Sequence, residues 1–398
     1  MSQNFDITII GGSFAGMTTA LALSNVSTDL KIAIIEKQDI LQADRKRDGR
    51  AYAISAASLQ LFKEIGIFDE THKHAGKISD IKITDYKSSF FLDFIGRQVD
   101  EKNGQLGAII ENYHIHNALR DQVLKCDNIT VFSPNFYEAI EFGEGEQISN
   151  VTVKIDNQTT IHSKLLLACD GRFSKLRDLY QIHTTQKKYH QTAIVFNIEH
   201  ERSHENVAYE KFLPGGPLAI LPLQNPNHSS IVWIAPDKIG SAILSLDEEN
   251  FIQQLTKKME NCLGKTSVIS EKFSYPLILI EAEKFYHKKM LLIGDAAAGV
   301  HPIAGQGFNL AISGIKILCE LVKNNLVGGL DISSQSLIDS YNKKAKIEAR
   351  KMLVATDILN SLFESKSLSI GFARDLGLGL VNKIPRLKNF FIKSAGGF

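Results

Sequence analysis

Continuous apolar runs near the start of the chain predict buried strands that end at polar turns. One run, at residues 7–10, is followed by a glycine turn and by a helical pattern of apolar residues through Leu23. A second run, at residues 32–35, ends at Glu36. Buried parallel strands have such unbroken runs, and a strand, a helix and a second strand in this order form a βαβ unit. The sequence therefore predicts a βαβ unit with an acid at the tip of its second strand.

The turn between the first strand and the first helix matches the dinucleotide-binding fingerprint with one departure. In that fingerprint the first glycine permits a tight turn, the last permits close helix packing, and the acid binds ribose hydroxyls. Ser13 occupies the place of the middle glycine, and we expect its small hydroxyl to donate a hydrogen bond to a phosphate. The residues predicted to bind the dinucleotide here are Gly11, Gly12, Ser13, Phe14, Ala15, Gly16 and Glu36.

The same turn has an alternative interpretation as the nucleophile elbow of a serine hydrolase. In that motif a glycine stands two residues after the serine, but here the position holds Ala15. No placement of a triad aspartate and histidine stands out downstream, and Glu36 has no role in such chemistry. The pattern therefore favours dinucleotide binding.

A second strand-turn-helix element lies at residues 290–309, almost the whole chain away. An apolar strand leads into Gly294 and Asp295, and a turn rich in proline and glycine opens a helix after residues 305–307. Amides at a helix start lack intrahelical partners and carry the positive end of the helix dipole, so they favour anionic groups. This element predicts the second half of the same ligand site.

Composition and charge narrow the class of protein. A chain of 398 residues that is 44% hydrophobic can bury a large core and divide into two or three domains. The formal net charge of +1, without a dominant basic block, argues against nucleic acid as a partner. The four cysteines and the histidine pairs lack metal-ligand spacing, so we predict no metal site. We expect no signal peptide and no membrane-spanning segment.

Three motifs together resemble the hallmarks of class A FAD-dependent monooxygenases. The third motif is another apolar strand that ends at Asp170 and Gly171 before a helix, and it completes the family's N-terminal glycine turn, central Asp-Gly and C-terminal Gly-Asp. Within that class, FLPGGPLAILPL at 212–223 and HPIAGQGFNL at 301–310 resemble the UbiH-type ubiquinone-biosynthesis hydroxylases. The resemblance covers the chain from end to end.

The resemblance and the strand patterns together predict an α/β fold. A Rossmann-like FAD-binding domain, glutathione-reductase-like and of the para-hydroxybenzoate-hydroxylase type, would be interrupted by an antiparallel β-sheet substrate domain and followed by C-terminal helices. Alternating apolar and polar residues at 78–94 and 193–234 favour that sheet. The predicted divisions are 1–77, 105–180 and 281–330 for FAD binding, 78–104 and 181–280 for the substrate sheet, and 331–398 for the helical region.

The resemblance also implies roles for single residues. Arg50 matches an arginine beside the pyrophosphate and flavin, with a surface salt bridge as the alternative. Asn112 matches a polar flavin contact, and it is equally suited to be the N-cap of the helix that follows, or both. Asp295 would accept from a ribityl hydroxyl, and the amides of 305–307 would face the flavin N1 and C2 carbonyl. The further predicted cofactor-binding residues are Arg50, Asn112, Asp170, Gly294, Asp295, Gly305, Gln306, Gly307 and Asn309.

The sequence leaves the catalytic residues unassigned, with His301, Pro302 and Arg50 as weak candidates. A histidine is a common general base, but a residue before proline is restricted to extended geometry. We therefore favour a role for His301 in shaping the turn. Besides Ser13, three positions depart from the family pattern: Ala311 is a mild change, Gly314 replaces an acid that relatives often carry, and Lys211 replaces an arginine.

The activity that the resemblance implies is aromatic-ring hydroxylation. FAD would be reduced by NAD(P)H or by a ferredoxin-type donor and, through a C4a-hydroperoxyflavin formed with O2, would hydroxylate a polyprenylated phenol or quinol of ubiquinone biosynthesis. A first alternative is an FAD-dependent prenyl-lipid reductase on the same fold. A second is a catalytically silent flavin-binding scaffold of a biosynthetic complex, which the departures at Ser13 and Gly314 suggest.

The end of the sequence predicts contact with a membrane surface. Residues 367–398 interleave five lysines and arginines with leucines and phenylalanines and contain one acid. A basic amphipathic segment suits an anionic lipid surface, although the same apolar residues could pack on the body of the protein. We expect a cytoplasmic protein that binds peripherally to the inner face of the membrane.

Overall fold

Strands and helices alternate along most of the chain in the computed structural model. It describes residues 1–41, 48–85, 91–98, 104–143, 151–155, 159–299 and 306–364. The strands are β1 (Ser2–Asn4), β2 (Ile7–Ile10), β3 (Ile32–Ile35), β4 (Ala51–Ser55), β5 (Gly76–Ile78), β6 (Asp80–Asp85), β7 (Phe91–Ile95), β8 (Gly107–Glu111), β9 (Ile129–Phe132), β10 (Ala139–Phe142), β11 (Val151–Lys154), β12 (Thr160–Ser163), β13 (Leu165–Ala168), β14 (Thr184–His200), β15 (Val207–Leu213), β16 (Gly216–Pro222), β17 (His228–Pro236), β18 (Thr266–Val268), β19 (Phe273–Ala282), β20 (Tyr286–His287), β21 (Met290–Leu292) and β22 (Ala298–Gly299).

Helices cover one sheet and close the described part of the chain. They are α1 (Phe14–Val26), α2 (Ala56–Glu64), α3 (Phe68–His72), α4 (Asn112–Val123), α5 (Lys175–Leu179), α6 (Asp237–Leu244), α7 (Glu248–Met259), α8 (Gln306–Val327) and α9 (Gln335–Glu364), with 3-10 turns at Gly96–Gln98 and Gly294–Ala296. In the part of the chain that the structure describes, none of these helices has both the length and the apolar character needed to cross a bilayer.

One of the two large sheets has six strands and is mainly parallel. Its order is β20-β21-β13-β2-β3-β9, and only the edge strand β20 is antiparallel to its neighbour. Every residue of β2, β3 and β13 is buried, as expected for strands that are covered on both faces. Helix α1 packs against α8 and α4 beside this sheet. The hydroxyl of Tyr341 on α9 donates to the Leu292 carbonyl at 3.0 Å and ties the C-terminal helices to β21.

The other large sheet has nine strands and is mainly antiparallel. Its main path is β22-β19-β14-β17-β16-β15-β6-β7, and β18 pairs with β14. One face is covered by α7, where the ring of Phe251 meets Phe196 at 5.1 Å and Trp233 at 5.9 Å between centroids. The antiparallel prediction is confirmed for most pairs. It is wrong for β6 and β15, which run parallel, because β15 returns to the sheet after a long intervening segment.

Two small sheets connect these layers. One has the order β1-β12-β11-β10, and the other is β4-β8-β5. The predicted divisions at residues 77 and 281 fall inside β5 and β19, so continuous strands cross both of these positions. The division of the chain into domains stays a prediction.

Candidate active site

Four neighbouring strands of the parallel sheet bring the sequence motifs to one edge. Strand β2 lies between β3 and β13, and β13 pairs in parallel with β21. Because the carboxyl ends of parallel strands share an edge, the residues that follow them become neighbours. Gly11, Glu36, Asp170 and Gly294 all lie at this edge, although the sequence separates the first from the last by most of the chain.

The glycine turn before α1 cannot accommodate side chains at two positions. Gly11 has φ +101°, and a Cβ added there would lie 2.5 Å from the Cys169 carbonyl oxygen. A Cβ on Gly16 would lie 1.8 Å from the Gly11 carbonyl oxygen. These contacts explain why the backbone, rather than side chains, forms this part of the edge.

Ser13 occupies the N-cap position of α1 but does not cap it with its side chain. Its backbone is extended, its side chain makes no capping hydrogen bond, and the residue is exposed. The first turn of α1 carries no acidic residue, so its amides keep their positive potential. The predicted hydrogen bond from the Ser13 hydroxyl to a phosphate stays a prediction, and nothing within α1 competes for that hydroxyl.

The carboxylate of Glu36 is held in one position by two backbone amides. Oε2 accepts from Gly12 at 2.7 Å, and Oε1 accepts from Gln38 at 2.9 Å. Glu36 is 8% exposed. Each carboxylate oxygen can still accept a second hydrogen bond, so a ribose hydroxyl can share this group with the amides.

Asp170 and Asp295 follow β13 and β21 and differ in their partners. Asp170 Oδ2 accepts from the Leu176 amide at 3.1 Å, while Oδ1 is buried with no partner among the described residues. Asp295 Oδ2 lies 3.4 Å from Arg172 Nη2. Desolvation raises the pKa of Asp295, and Arg172 opposes this shift. We did not predict Arg172 from the sequence, and its position directly after Asp170-Gly171 is the one local signal of it.

Arg50 forms a local ion pair at the start of β4. Its Nε donates to Asp48 Oδ2 at 2.9 Å, and its Cζ lies 5.1 Å from the ring centroid of Phe273. The salt-bridge alternative thus describes its contact with the protein. One third of the side chain is exposed. Its contact with a cofactor and its candidacy as a catalytic residue stay predictions.

Asn112 does not cap α4, so that interpretation is wrong. The N-cap position is Glu111, and Asn112 is already the first residue of the helix, where its side chain is not placed to accept from the first-turn amides. Its own amide donates to the Arg50 carbonyl at 2.8 Å. Its Oδ1 is buried with no hydrogen-bond partner among the described residues. The side chain is therefore positioned for a donor from outside the described chain.

The start of α8 meets the other segments through Gly294. A Cβ added to Gly294 would lie 3.4 Å from Ala15 Cβ and 3.2 Å from Ala311 Cβ, so α1 and α8 converge there. A Cβ added to Gly307 would have no atom of the described residues within 4 Å. Helix α8 begins at Gln306, whose backbone amide is therefore at the helix start. The predicted site residues His301, Pro302 and Gly305 lie outside the described residues.

Asn309 holds β4 against α8. Its Nδ2 donates to the Ala53 carbonyl at 2.9 Å, and its Oδ1 accepts from the Ser55 amide at 3.0 Å. These two bonds make its side chain a structural link between the segments, and a direct contact with a cofactor stays a prediction.

An aromatic cluster, which we did not predict from the sequence, joins α1, β4 and α8. The ring of Tyr52 on β4 lies 5.1 Å from that of Phe14 on α1 and 5.1 Å from that of Phe308 on α8. Phe14 is thus packed in the core, so its predicted cofactor contact can involve only its backbone amide. The local signal was an aromatic residue directly after each turn.

The residues of this edge fit a flavin dinucleotide. Two helix starts, those of α1 and α8, offer amides to anionic groups. Asn112 Oδ1 and Asp170 Oδ1 are buried acceptors without protein donors in the described chain, and ribityl and flavin N–H or O–H groups are donors. As far as the described residues are concerned, the space at Gly307 admits a flat ring close to the backbone.

Comparison with known proteins agrees with this geometry. A family model described as FAD binding domain matches residues 4–356. The chain is 32% identical over 392 residues to ubiquinone hydroxylase UbiL of Rhodospirillum rubrum, which covers 98% of this chain and 89% of that protein. It is 29% identical over 403 residues to ubiquinone hydroxylase UbiM of Neisseria meningitidis, covering 100% of this chain and 86% of that protein.

Solved structures share the fold at lower identity. The p-nitrophenol 4-monooxygenase PnpA of Pseudomonas putida superposes with a TM-score of 0.79 at 14% identity and covers 99% of each chain. HpxO of Klebsiella pneumoniae, solved with FAD and uric acid, superposes with a TM-score of 0.74 at 15% identity and covers 98% of this chain and 97% of its own. The α/β fold predicted from the sequence is confirmed. The chain belongs to the FAD-binding-domain family and is a class A FAD-dependent monooxygenase of the UbiH type.

Proposed function

We propose that this monooxygenase hydroxylates the aromatic ring of a polyprenylated phenol or quinol in ubiquinone biosynthesis. The observation that carries the proposal is the similarity to ubiquinone hydroxylases over nearly the whole chain, at 32% identity to UbiL. Bound FAD, reduced by NAD(P)H or a ferredoxin-type donor, supplies the redox chemistry that transfers one oxygen atom of O2 to the ring. The protein orients the reactants and excludes water.

The adenosine half of the cofactor would be held mainly by backbone groups. Amides at the start of α1 would bind the pyrophosphate, with a further hydrogen bond from the Ser13 hydroxyl. Glu36 would accept from ribose hydroxyls, because two backbone amides already fix its carboxylate. This arrangement costs little reorganisation when the cofactor binds.

The flavin half would be held by the start of α8 and by the unpaired acceptors. Amides at that helix start would stabilise the negative charge that develops on the reduced flavin. Asn112 and Asp170 would accept from cofactor donors through their unpartnered oxygens. Asp295 would exchange part of its contact with Arg172 for a ribityl hydroxyl.

The substrate would lie between the nine-stranded sheet and β4. An apolar cluster joins the two, and it suits the apolar part of a prenylated ring. The residues of this cluster include Ile78, Ile81, Ile83, Ala208, Leu221, Leu223, Ala51, Ala53 and Ile109.

A lipid substrate implies contact with a membrane surface. We propose that residues 367–398, which lie outside the described residues, bind peripherally to an anionic membrane, because they combine basic and apolar side chains. Removing them from the purified protein should abolish cosedimentation with anionic liposomes while FAD stays bound. Undiminished liposome binding by the truncated, folded protein would contradict this part of the proposal.

Quinone profiling of a deletion strain tests the function. We expect a prenylated intermediate that lacks one ring hydroxyl to accumulate, and the wild-type gene to restore the quinone. A prenyl-lipid reductase would instead leave a substrate with an unreduced double bond. A silent scaffold would be indicated if a variant that binds no FAD restored the quinone fully.

A further inference from the structure

Strand β15 places a buried carboxyl on the face of the sheet that is turned toward β4. Successive strand residues point to opposite faces. Ala208 belongs to the apolar cluster shared with β4, whereas Tyr209 packs on the cluster beneath α7. Glu210 therefore shares the face of Ala208. Its cross-strand neighbours on that face are Ala219 of β16 and Ile83 of β6.

This face borders the cofactor segments. Ala51 and Ala53 of β4 pack in the same apolar cluster. The residue between them, Tyr52, contacts the rings of Phe14 and Phe308. These two residues lie in the first turns of α1 and α8, the helices whose starts would bind the cofactor. One thin strand thus separates the face that carries the carboxyl from the residues that surround the cofactor.

Glu210 has no compensating partner. It is 8% exposed, and it makes no hydrogen bond or ion pair with another residue of the described chain. The adjacent Lys211 points to the other face, where its Nζ donates to the Met259 carbonyl at 3.1 Å and to Glu260 at 2.8 Å. Burying a carboxyl without a partner is unfavourable, and such groups concentrate at functional sites.

The other charged groups around this face do not account for the carboxyl. Lys82 of β6 lies opposite Tyr209 and so belongs to the other face. Glu111 of β8 accepts from Asn197 at 3.0 Å. Burial alone raises the pKa of Glu210 to about 7, without a contribution from these groups.

We propose that Glu210 is the general base that takes the proton of the substrate's ring hydroxyl, an assignment that rests on the hydroxylase function proposed above. In this step the phenol O–H bond breaks, the proton passes to the Glu210 carboxylate, and the electron pair stays on the phenol oxygen. The products are a carboxylic acid and a phenolate, so charge is conserved and no oxidant is consumed. The phenolate enriches the ortho and para ring carbons in electrons, which favours hydroxylation there.

The first test measures binding without turnover, with a geranylated phenol and its O-methyl ether as probes of the FAD-bound protein. Only the phenol can donate to the carboxylate, and hydrogen bonds to charged acceptors are the stronger ones. Wild-type protein should bind the phenol about 10-fold more tightly than the ether above pH 7, and this preference should decline as the pH falls below 7. Glu210→Gln should lose the pH dependence, and the matched control Lys211→Met should keep it.

The second test measures turnover of the same phenol and of a fluorinated analogue that is already ionised at the assay pH. Glu210→Gln should lower kcat for the ordinary phenol about 100- to 10,000-fold. The loss should shrink to less than about 10-fold for the fluorinated phenol, because it needs no base. A role in packing alone would reduce both rates equally. FAD content and thermal stability of each variant establish that it is folded.

The outcomes separate this assignment from the proposed function. A wild-type protein without preference for the phenol over its ether at any pH would overturn the assignment, as would a Glu210→Gln variant that hydroxylates the ordinary phenol at the wild-type rate. A wild-type protein that shows the pH-dependent preference but never hydroxylates a phenol would contradict the proposed function, while supporting Glu210 as the acceptor of the ring hydroxyl.

Discussion

Two regions of the molecule differ in which parts of the chain would bind a ligand. The cofactor edge is the edge of the parallel sheet that holds Gly11, Glu36, Asp170 and Gly294, and the substrate face is the face of β15 and β16 that is turned toward β4. At the cofactor edge, glycines and helix starts expose the backbone, and the contacts with Gly11 and Gly16 leave no room for side chains. On the substrate face of the nine-stranded sheet, where we propose that the substrate binds, the site would be made by side chains that alternate along β15 and β16. The first region is therefore sensitive to any added atom, while the second is sensitive to charge and burial.

This contrast also separates stability from function. Gly11 and Gly16 are needed for the backbone of the glycine turn to fold, so the fold and the predicted cofactor site depend on the same residues. Glu210 is buried without a partner, so the fold would be more stable without its charge. Gly16→Ala and Glu210→Gln should therefore change stability in opposite directions.

The largest effect is expected at Gly16. Its Cβ in Gly16→Ala would lie 1.8 Å from the Gly11 carbonyl oxygen, so the turn must move. We expect a loss of about 3 kcal/mol in the free energy of unfolding, together with loss of bound FAD. Urea denaturation and flavin absorbance measure the two effects. A variant that retains FAD and wild-type stability would show that the turn is not the rigid element described here.

The opposite change is expected at Glu210. Its pKa in the folded protein is about 7, above the ordinary value of 4.5, so ionisation weakens the fold as the pH rises from 4.5 through 7. Glu210→Gln should raise the free energy of unfolding by about 3 kcal/mol at pH 8 and by less than about 1 kcal/mol at pH 5. Urea denaturation at both pH values provides the check, and an equal effect at pH 5 and pH 8 would exclude a buried titrating carboxyl.

A smaller effect is expected at Gly307, where the stability of the FAD-free protein and the affinity for FAD should change in opposite directions. A Cβ there meets no atom of the described residues within 4 Å, so Gly307→Ala should stabilise the FAD-free protein by about 1 kcal/mol through helix propensity. If the flavin occupies that space, FAD affinity should fall about 10-fold.

Gly314→Ala is the matched control on the same helix, because its Cβ would meet only the Tyr341 hydroxyl, at 3.7 Å. It should give a similar gain in stability with unchanged FAD affinity in a fluorescence titration. Equal affinities of Gly307→Ala, Gly314→Ala and wild type would place the flavin away from the start of α8.

The smallest effect is expected for the pH dependence of stability at His200, the last residue of β14, and at His204, which follows that strand. Burial lowers the pKa of His200 and His204, so the unfolded chain takes up protons at a higher pH than the folded protein does. Stability should therefore be complete above about pH 6.5 and should fall as the pH decreases below it. His200→Gln with His204→Gln should flatten the dependence of Tm on pH between about 5 and 6.5. An unchanged slope would assign it to other groups.

The strands and turns of the cofactor edge can be predicted from the sequence because their signals are local. Apolar runs define β2 and β3, and the glycine turn and Glu36 follow them directly. Predictions failed where an element boundary or a distant partner decides the outcome. Asn112 is a helix residue instead of a cap, because α4 begins one residue earlier than the pattern indicated. The polar side chain then becomes an unpaired acceptor rather than a cap.

The substrate face was less accessible to sequence analysis. The parallel pairing of β6 with β15 joins segments more than a hundred residues apart, and no local pattern encodes it. A glutamate within an alternating strand is ordinarily interpreted as solvent-exposed. The burial of Glu210 follows only when β4 packs against that face of the sheet. Arg172 was missed for the same reason, since its partner Asp295 is distant in sequence.

Transfer of 18O from 18O2 to the product tests most directly whether the protein hydroxylates an aromatic ring. Purified FAD-bound protein, with an electron donor and a geranylated phenol, should form a product that contains one 18O atom on the ring, in proportion to the donor consumed. The same product should be absent when FAD is removed and should return when it is restored. A product that gains hydrogen without 18O, or donor oxidation that yields only peroxide with every phenol tested, would contradict the account.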